Sequence, residues 1–480
     1  MIRKYPKFQG GYIWDFVDQS IRWTNAKGRQ IWAYGGDFNN YDATSNNFCD
    51  NGLIGPDRNW NPHAYEVQYY YQSIWSTLKG KSIEVYNENF FKDLSDVLLE
   101  WTLVRNGKAV EMGTVGKLNV KPQQKNVVAI GYNTDVTDGA EYFLNLEYKL
   151  KSKDGILDAG TTVARQQLEV AQGKSEAHAC DCNHAVEVDV DVQFDTATGF
   201  LTKYDVNGVS YLAEGKAMTP NFWRAPTDND MGAGQQNRFH EWLNPEMKLV
   251  TLDDATNDKG KRVVTAKYEM PTVEAELILT YTICPNSGSI TVNQKFEAKG
   301  KGAEPRPVRR DAKTEKLHMP MFRFGMQLPM PEQFEKLAYY GRGPIESYCD
   351  RKDSQFVGIY ESTVTDEFFP YIRPQENGNH VDLRWMTLTT ATGKSLTIAA
   401  KSQPTFSGSA LHYTQESLDE GPVKINRHSP DVDSAPLTNV CIDLKQMGLA
   451  CENSWGAWPL PEYMLPYQNY EFTFKLTPKL

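Results

Sequence analysis

Nowhere in the 480 residues does an apolar run approach the roughly 18 positions that a membrane-crossing helix needs, so no membrane association is expected. The opening MIRKYPKFQGG is basic but has no apolar stretch behind it, and no secretory leader is read there. Long basic runs are missing as well. Against 51 Lys and Arg stand 61 Asp and Glu, a net charge of -10, and a nucleic-acid binder would need the opposite balance to neutralise phosphates. Cysteine is scarce: the seven present, an odd number, are scattered too widely for a disulfide scaffold. That favours a reducing, cytoplasmic setting, with the periplasm left open because cysteines can stay free and buried. The sequence also lacks G-x-S-x-G, a P-loop, G-x-G-x-x-G and H-E-x-x-H, the signatures of many serine hydrolases, nucleotide binders and zinc proteases.

What the sequence has in quantity is aromatic residues: 25 Tyr, 21 Phe and 11 Trp. Such a content suits β-sandwich cores, and it suits sugar sites, where flat rings stack on C–H faces. The length points to about three domains. Residues 1–75 read as one β/α unit, the end of a barrel. An apolar stretch over 8–16 is expected to be a buried strand, followed by a long loop and by a helix opening at Pro62, where a first-turn proline loses no hydrogen bond. From 76 to 170, short alternating strands such as 82–86, 97–104 and 141–148 are punctuated by Asn106-Gly and Asp154-Gly, the rhythm of an immunoglobulin-like sandwich. Residues 171–184, AQGKSEAHACDCNH, read as a linker. From 185 to 480 strands continue, with hairpin turns at Asn207-Gly and at 390–393, and suggest one large β-sandwich. The charged, Gly- and Pro-rich segment 299–316 is expected to be a mobile excursion. The fold class is therefore mainly β.

Several groups could carry chemistry. His178, Cys180, Cys182 and His184 are metal-ligating types, but C-x-C spacing without a second pair is a weak metal signal. Asp15 and Asp18, Asp228 and Asp230, and Glu346 and Asp350 are carboxylates close in sequence, for which turn-forming or solvated roles are the default. A sharper pattern is the set GGYIWDFVDQ, FCDNG, WRAPTDND and NSWGAWP. It places Trp14 at the end of the expected barrel strand, where β/α barrels carry active sites, and Asn51 in the loop beyond. Indoles, amides and backbone carbonyls are what a sugar site needs.

These motifs carry a resemblance. YPKFQGGYIWDFVDQS, IWAYGGDF, FCDNGLI, RAPTDNDMG, GRGPIESYCDR, PYIRPQENGN and NSWGAWP follow one another as in the C-terminal half of the large bacterial β-galactosidases of glycoside hydrolase family 2, the lactose-operon type. The resemblance is collinear over nearly the whole chain. It implies the end of a TIM barrel, then an immunoglobulin-like domain, then a large galactose mutarotase-like β-sandwich. It also implies a retaining β-galactosidase whose two catalytic glutamates lie in earlier barrel loops, so no catalytic carboxylate is expected in this chain. A truncated or split enzyme is the first reading. A small subunit completing a two-gene enzyme, a non-catalytic carbohydrate-binding or assembly module, and a homo-oligomer remain alternatives.

By the same resemblance, Trp14 matches the galactose platform, with a core role as its alternative. The Phe48 carbonyl and the Asn51 side chain match two ligands of a sodium ion that holds the galactosyl 6-hydroxyl, with a third, an aspartate, expected outside the chain. Asn51 before Gly52 is otherwise a turn former. Trp455 matches a residue lining the aglycone side, or else closes the sandwich. Gly232 matches the hinge of a mobile loop. Between GGDF and FC the chain reads NNYDATSNN, a departure in length and residues. No magnesium site is carried over there, and magnesium ligands are expected mostly outside the chain.

Overall fold

The computed structural model describes residues 3–5, 7–173, 188–302, 317–401, 403–449 and 456–479. The His178–His184 cluster, most of the 171–184 linker, residues 303–316 of the charged excursion and Trp455 lie outside the described residues.

The stretch 8–16, expected as a buried strand, is irregular, belongs to no sheet and is largely open to solvent. Phe8, Tyr12, Trp14 and Phe16 are all exposed. The reason lies in its neighbours. A parallel barrel strand must be paired on both edges and covered on both faces. Here the pairing consists of a parallel bridge between Val17 and Ile54, with Asp18 N–H donating to the Ile54 carbonyl (2.9 Å) and Ile54 N–H to that of Phe16 (3.1 Å). A hairpin follows, β1 (Ile21–Thr24) against β2 (Gln30–Ala33), and helix α1 (Pro62–Tyr71) begins at the proline as the sequence predicts.

Seven strands then build a small sandwich: β3 (Ile74–Lys79), β4 (Ser82–Asn87), β5 (Val97–Arg105), β6 (Lys108–Val115), β7 (Lys125–Ala129), β8 (Tyr142–Leu150) and β9 (Thr162–Ala171). One sheet orders them β3-β4-β7 and the other β6-β5-β8-β9. Their alternating apolar residues face inward, so that Ile83, Val85, Leu99, Leu144 and Tyr148 are fully buried, each contributing about 1.5–3 kcal/mol. Gly113 lies opposite Trp101 in the ladder. A Cβ there would come within 2.6 Å of the indole, so glycine is what admits the large ring.

Beyond residue 188, a nine-stranded antiparallel sheet faces a five-stranded one, in which Arg323–Pro331 pairs with Leu437–Gln446. Among the described residues, no sheet mixes these strands with β3–β9. The core between the sheets is aromatic, with Phe222, Trp242, Phe296 and Phe324 in mutual contact. It also encloses charge. Arg224 and Asp230 pair at 2.7 Å with almost no exposure. Arg323 pairs with Glu376 at 2.7 Å and lies 3.5 Å from Asp443. Burial pushes the Asp443 carboxyl up to about 7 against the pull of Arg323.

The units lock together through polar contacts. Gln167 on β9 exchanges two hydrogen bonds with the backbone of Val357, and Arg165 donates to the Ser354 carbonyl (2.6 Å). The hairpin end is held by the far C-terminal part. Tyr34 donates its hydroxyl to the Arg427 carbonyl (2.7 Å), and His428 meets Asp37 of the GGDF motif at 2.9 Å while its ring packs on Tyr34.

Candidate functional site

The FCDNG loop is shaped by Asp18. Its Oδ1 accepts the Gly52 N–H (2.6 Å) and its Oδ2 the Asn61 amide (3.1 Å), while the Gly52 carbonyl accepts the same amide (3.0 Å). Burial pushes the Asp18 carboxyl up, and these two donors oppose the shift. Position 52 admits only glycine, because a Cβ would fall 2.2 Å from the Asp18 nitrogen. Asp18 is thus a loop clamp. Asp15 is engaged locally: the Gln19 amide first, and the Phe16 N–H next, hold its carboxyl below the usual range.

Asn51 is fixed between two sequence-predicted neighbours. Its carbonyl accepts the Asp15 N–H (3.0 Å), and its side-chain amide donates to the Phe48 carbonyl. The two groups matched to a cation site therefore lie side by side. Next to them stands Asp50, which sequence reasoning did not single out. Its Oδ1 accepts the Ser20 hydroxyl, and its Oδ2 is buried without a hydrogen-bond partner. Burial raises the Asp50 carboxyl to about 7, with the Ser20 hydroxyl opposing and the charge of Asp18 adding to the rise.

The opposite wall comes from the large sandwich. The Asp-Asn-Asp segment, expected as a tight loop, is the start of helix α2 (Asp228–Gly232). The Thr227 side chain accepts the Asp230 N–H, and Asp230 accepts that of Thr227 (2.9 Å), a reciprocal cap that fixes the helix entry. Asp228 then faces Arg373 (2.7 Å) and Lys424 (2.9 Å). Burial alone would raise Asp228, but Arg373 and then Lys424 outweigh it and hold the carboxyl well below the usual range. Lys424 also donates to Asn47 (2.7 Å), so it spans the cleft from one wall to the other.

The result is a cleft of about 110 Å³ walled by Phe48, Asp50 and Asn51 on one side and by Asp228, Gly232 and Lys424 on the other. Gly232 is the last residue of α2, and a Cβ there would meet nothing within 4 Å, so crowding does not explain the glycine. Gly456, the neighbour of Trp455, also lines the cleft. Trp14 does not. It is 77% exposed and is tied to the site through Asp15, which bonds Asn51. Glu346 and Asp350 are elsewhere. Glu346 is buried against Arg351, Tyr371 and the Gly378 N–H, and Asp350 accepts the Leu449 N–H (3.1 Å). Asp50 was detectable only as the neighbour of Asn51. Lys424 sits in no motif and had no sequence signal.

The model of the β-galactosidase small chain matches residues 187–476, more than half of the protein. The chain belongs to that family. Residues 83–171 match β-galactosidase domain 4, and residues 1–76 match the TIM barrel domain of family 2 glycosyl hydrolases. The β-galactosidase of Priestia megaterium is 32% identical over 99% of this chain and 45% of its own length, and that of Streptococcus thermophilus is 28% identical with the same coverage. The chain thus spans about half the length of the relatives it matches. Among solved structures, a galactose mutarotase related enzyme from Lactobacillus acidophilus covers 61% of this chain and 95% of its own at 11% identity, with a TM-score of 0.33. This small-chain family member is mainly β, with the barrel segment at its start. Among its described residues no helix is long and apolar enough to cross a membrane.

Proposed function

We propose that the chain is the C-terminal portion of a retaining β-galactosidase that removes terminal, non-reducing β-D-galactose from lactose-like galactosides. The observation that carries this reading is the cleft in which Phe48 and Asn51 meet Gly232, three residues assigned by resemblance to one galactose site and separated in sequence by the whole small sandwich. The two catalytic carboxyl groups come from the polypeptide that supplies the rest of the barrel. One protonates the leaving oxygen, the other attacks the anomeric carbon, and water then releases galactose with the first group acting as base.

This chain's residues bind and orient. The Trp14 indole presents a flat apolar face to the C–H bonds of galactose and keeps water from the reacting centre. Trp455 lines the aglycone side, and Gly232 lets the segment behind α2 move. A sodium ion would take the Phe48 carbonyl and the Asn51 Oδ1, hard oxygen donors, once the Asn51 amide turns its N–H away from that carbonyl, and the unpartnered Oδ2 of Asp50 beside them fits a cation. When bound, the ion supplies a fixed positive charge for the galactosyl 6-hydroxyl. Among the described residues no group of three His, Cys, Asp or Glu gathers to hold a further metal, and magnesium ligands are assigned to the rest of the enzyme.

Tyr12, Trp14, Phe16 and Trp23 of the barrel segment are all at least half exposed. Large apolar side chains left open in this number call for a cover, and the partner proposed is the polypeptide bearing the remaining barrel. A cytoplasmic setting is proposed as well, Cys49, Cys349 and Cys441 being described in no disulfide. The test is hydrolysis of a nitrophenyl β-galactoside by the chain alone and after mixing with that polypeptide. No turnover alone and recovery on mixing are expected. Turnover by the pure chain, or a stable mixed complex without activity, counts against the reading.

A further inference from the structure

A second cleft, of about 820 Å³, opens where α1 ends against the small sandwich, at the opposite end of the helix from the Asn51 loop. Its size is within the ~300–1,000 Å³ of ordinary ligand sites. We infer that it binds a neutral glycan, a segment of oligosaccharide or polysaccharide.

Three features argue for that chemistry. The first is apolar. Tyr71, the last residue of α1, and Phe91, on the loop between β4 and β5, both line the cleft and are 67% and 96% exposed. Neither ring packs into a core, and each offers a flat face for sugar C–H bonds. The second is electrostatic. Lys92, Lys121 and Lys153 are balanced around the cleft by Asp93, Asp96 and Asp154, and Lys92 and Asp154 already pair with each other. With equal numbers of either sign, neither a polyanion nor a polycation finds an opposite field to neutralise. The third is a missing hydrogen bond. Gln72 is only 7% exposed and lines the cleft. Its Oε1 accepts the Arg165 N–H (2.8 Å), but its Nε2 donor has no partner. That nitrogen has almost no accessible surface as it stands, and a ligand hydroxyl supplies its acceptor once the amide pivots toward the cleft about its bond to Arg165.

An apolar protein surface laid over the same cleft would cover the rings but strand the Gln72 donor and desolvate six charged side chains. A neutral glycan serves all three features, because it pairs C–H faces with hydroxyl groups that accept from the amide and leave the rim charges hydrated.

The experiment uses the 480-residue chain in native gels containing arabinogalactan, galactomannan, xyloglucan or starch, followed by calorimetry with oligosaccharides cut from whichever polymer retards it. At least one polymer is expected to retard the chain. Phe91→Ala, at a fully exposed ring, and Gln72→Glu, which keeps the acceptor for Arg165 but removes the donor, are each expected to weaken binding about tenfold or more. Phe91→Tyr, which keeps a ring, is expected to restore it. Failure of every polymer to retard the chain overturns the inference. So does retardation that is lost in Trp14→Ala but not in Phe91→Ala, which places the sugar in the other cleft. An effect of Phe91→Ala on assembly with the barrel polypeptide, with no glycan retained, overturns it in favour of a protein interface. None of these outcomes depends on galactosidase activity, so this inference and the proposed function fail separately.

Discussion

Lys424 Nζ donates to Asn47 Oδ1 over 2.7 Å, joining positions 377 residues apart in the sequence, and the same ammonium pairs with Asp228 at 2.9 Å. One side chain of the large sandwich therefore sets the distance between the FCDNG loop and α2, the two walls of the candidate site. The Lys424 and Asp228 side chains are 24% and 34% exposed, so solvent screens the pair and its worth to stability is modest.

Lys424→Met should accordingly lower the unfolding free energy by about 1 kcal/mol or less, yet loosen the cleft. Hydrogen exchange of the amides over 45–54 is expected to rise while exchange in the strands over 323–331 and 437–446 stays unchanged. A uniform rise across the chain would mean that the lysine acts on global stability instead.

Trp14 stands 77% exposed, and this decides what its loss should do. In the enzyme reassembled with the rest of the barrel, Trp14→Ala is expected to lower kcat/KM about tenfold or more, roughly 1.4 kcal/mol of transition-state stabilisation, and Trp14→Phe less. The thermal midpoint of the isolated chain should barely move, since surface substitutions stay within about 0.5 kcal/mol. A normal kcat/KM in properly assembled Trp14→Ala enzyme would remove Trp14 from the sugar site.

Asp230 differs from its neighbour Asp228, two residues away. It is buried with Arg224 and caps α2, so Asp230→Ala strands a buried guanidinium. The expected cost is about 3–5 kcal/mol by chemical denaturation. Asp228→Asn should cost clearly less, because the side chain is partly exposed and Arg373 keeps Glu420 at 3.2 Å. Equal losses would contradict the distinction.

Asp443 gives the fold a pH signature. Its carboxyl is raised to about 7 in the folded chain, so between the ordinary carboxylate range, about pH 4, and pH 7 the folded state holds a proton that the unfolded state has released. Its contribution to stability should therefore be greatest below about pH 4, decline as pH rises toward 7, and level off beyond. Asp443→Asn, which cannot ionise, should flatten that decline in denaturant titrations run from pH 5 to 8. An unchanged slope would show that Asp443 is ionised throughout.

The barrel segment should be the most labile part. Among the described residues its sheet pairing amounts to two isolated bridges and one short hairpin, and several of its aromatic residues are exposed. Amides over 7–60 are expected to exchange faster than those of the large sandwich, and addition of the barrel polypeptide should slow them. Equal protection in the monomeric chain would contradict this.

The sequence was most legible where local chemistry decides structure. Proline marked the start of α1. Asn106-Gly107 and Asn207-Gly208 adopt the positive φ angles that their hairpin turns require. Alternation located β4, β5 and β8 to within a residue or two. The stretch 8–16 was misread because periodicity reports that a segment suits a sheet, not whether neighbouring strands are there to pair with it. Of the motif residues, Phe48, Asn51 and Gly232 lie on one cleft, and their roles there are proposals. Asp50 and Lys424 were not, since a buried orphan oxygen and a contact spanning 377 residues exist only after folding.

The hydroxyl of Tyr34 reaches the backbone of Arg427, 393 residues later. During synthesis at about 5–20 residues per second, the N-terminal hairpin therefore waits roughly 20–80 seconds for the surface that will hold it. The hairpin therefore gains its seat only once the backbone around Arg427 and the ring of His428 are in place.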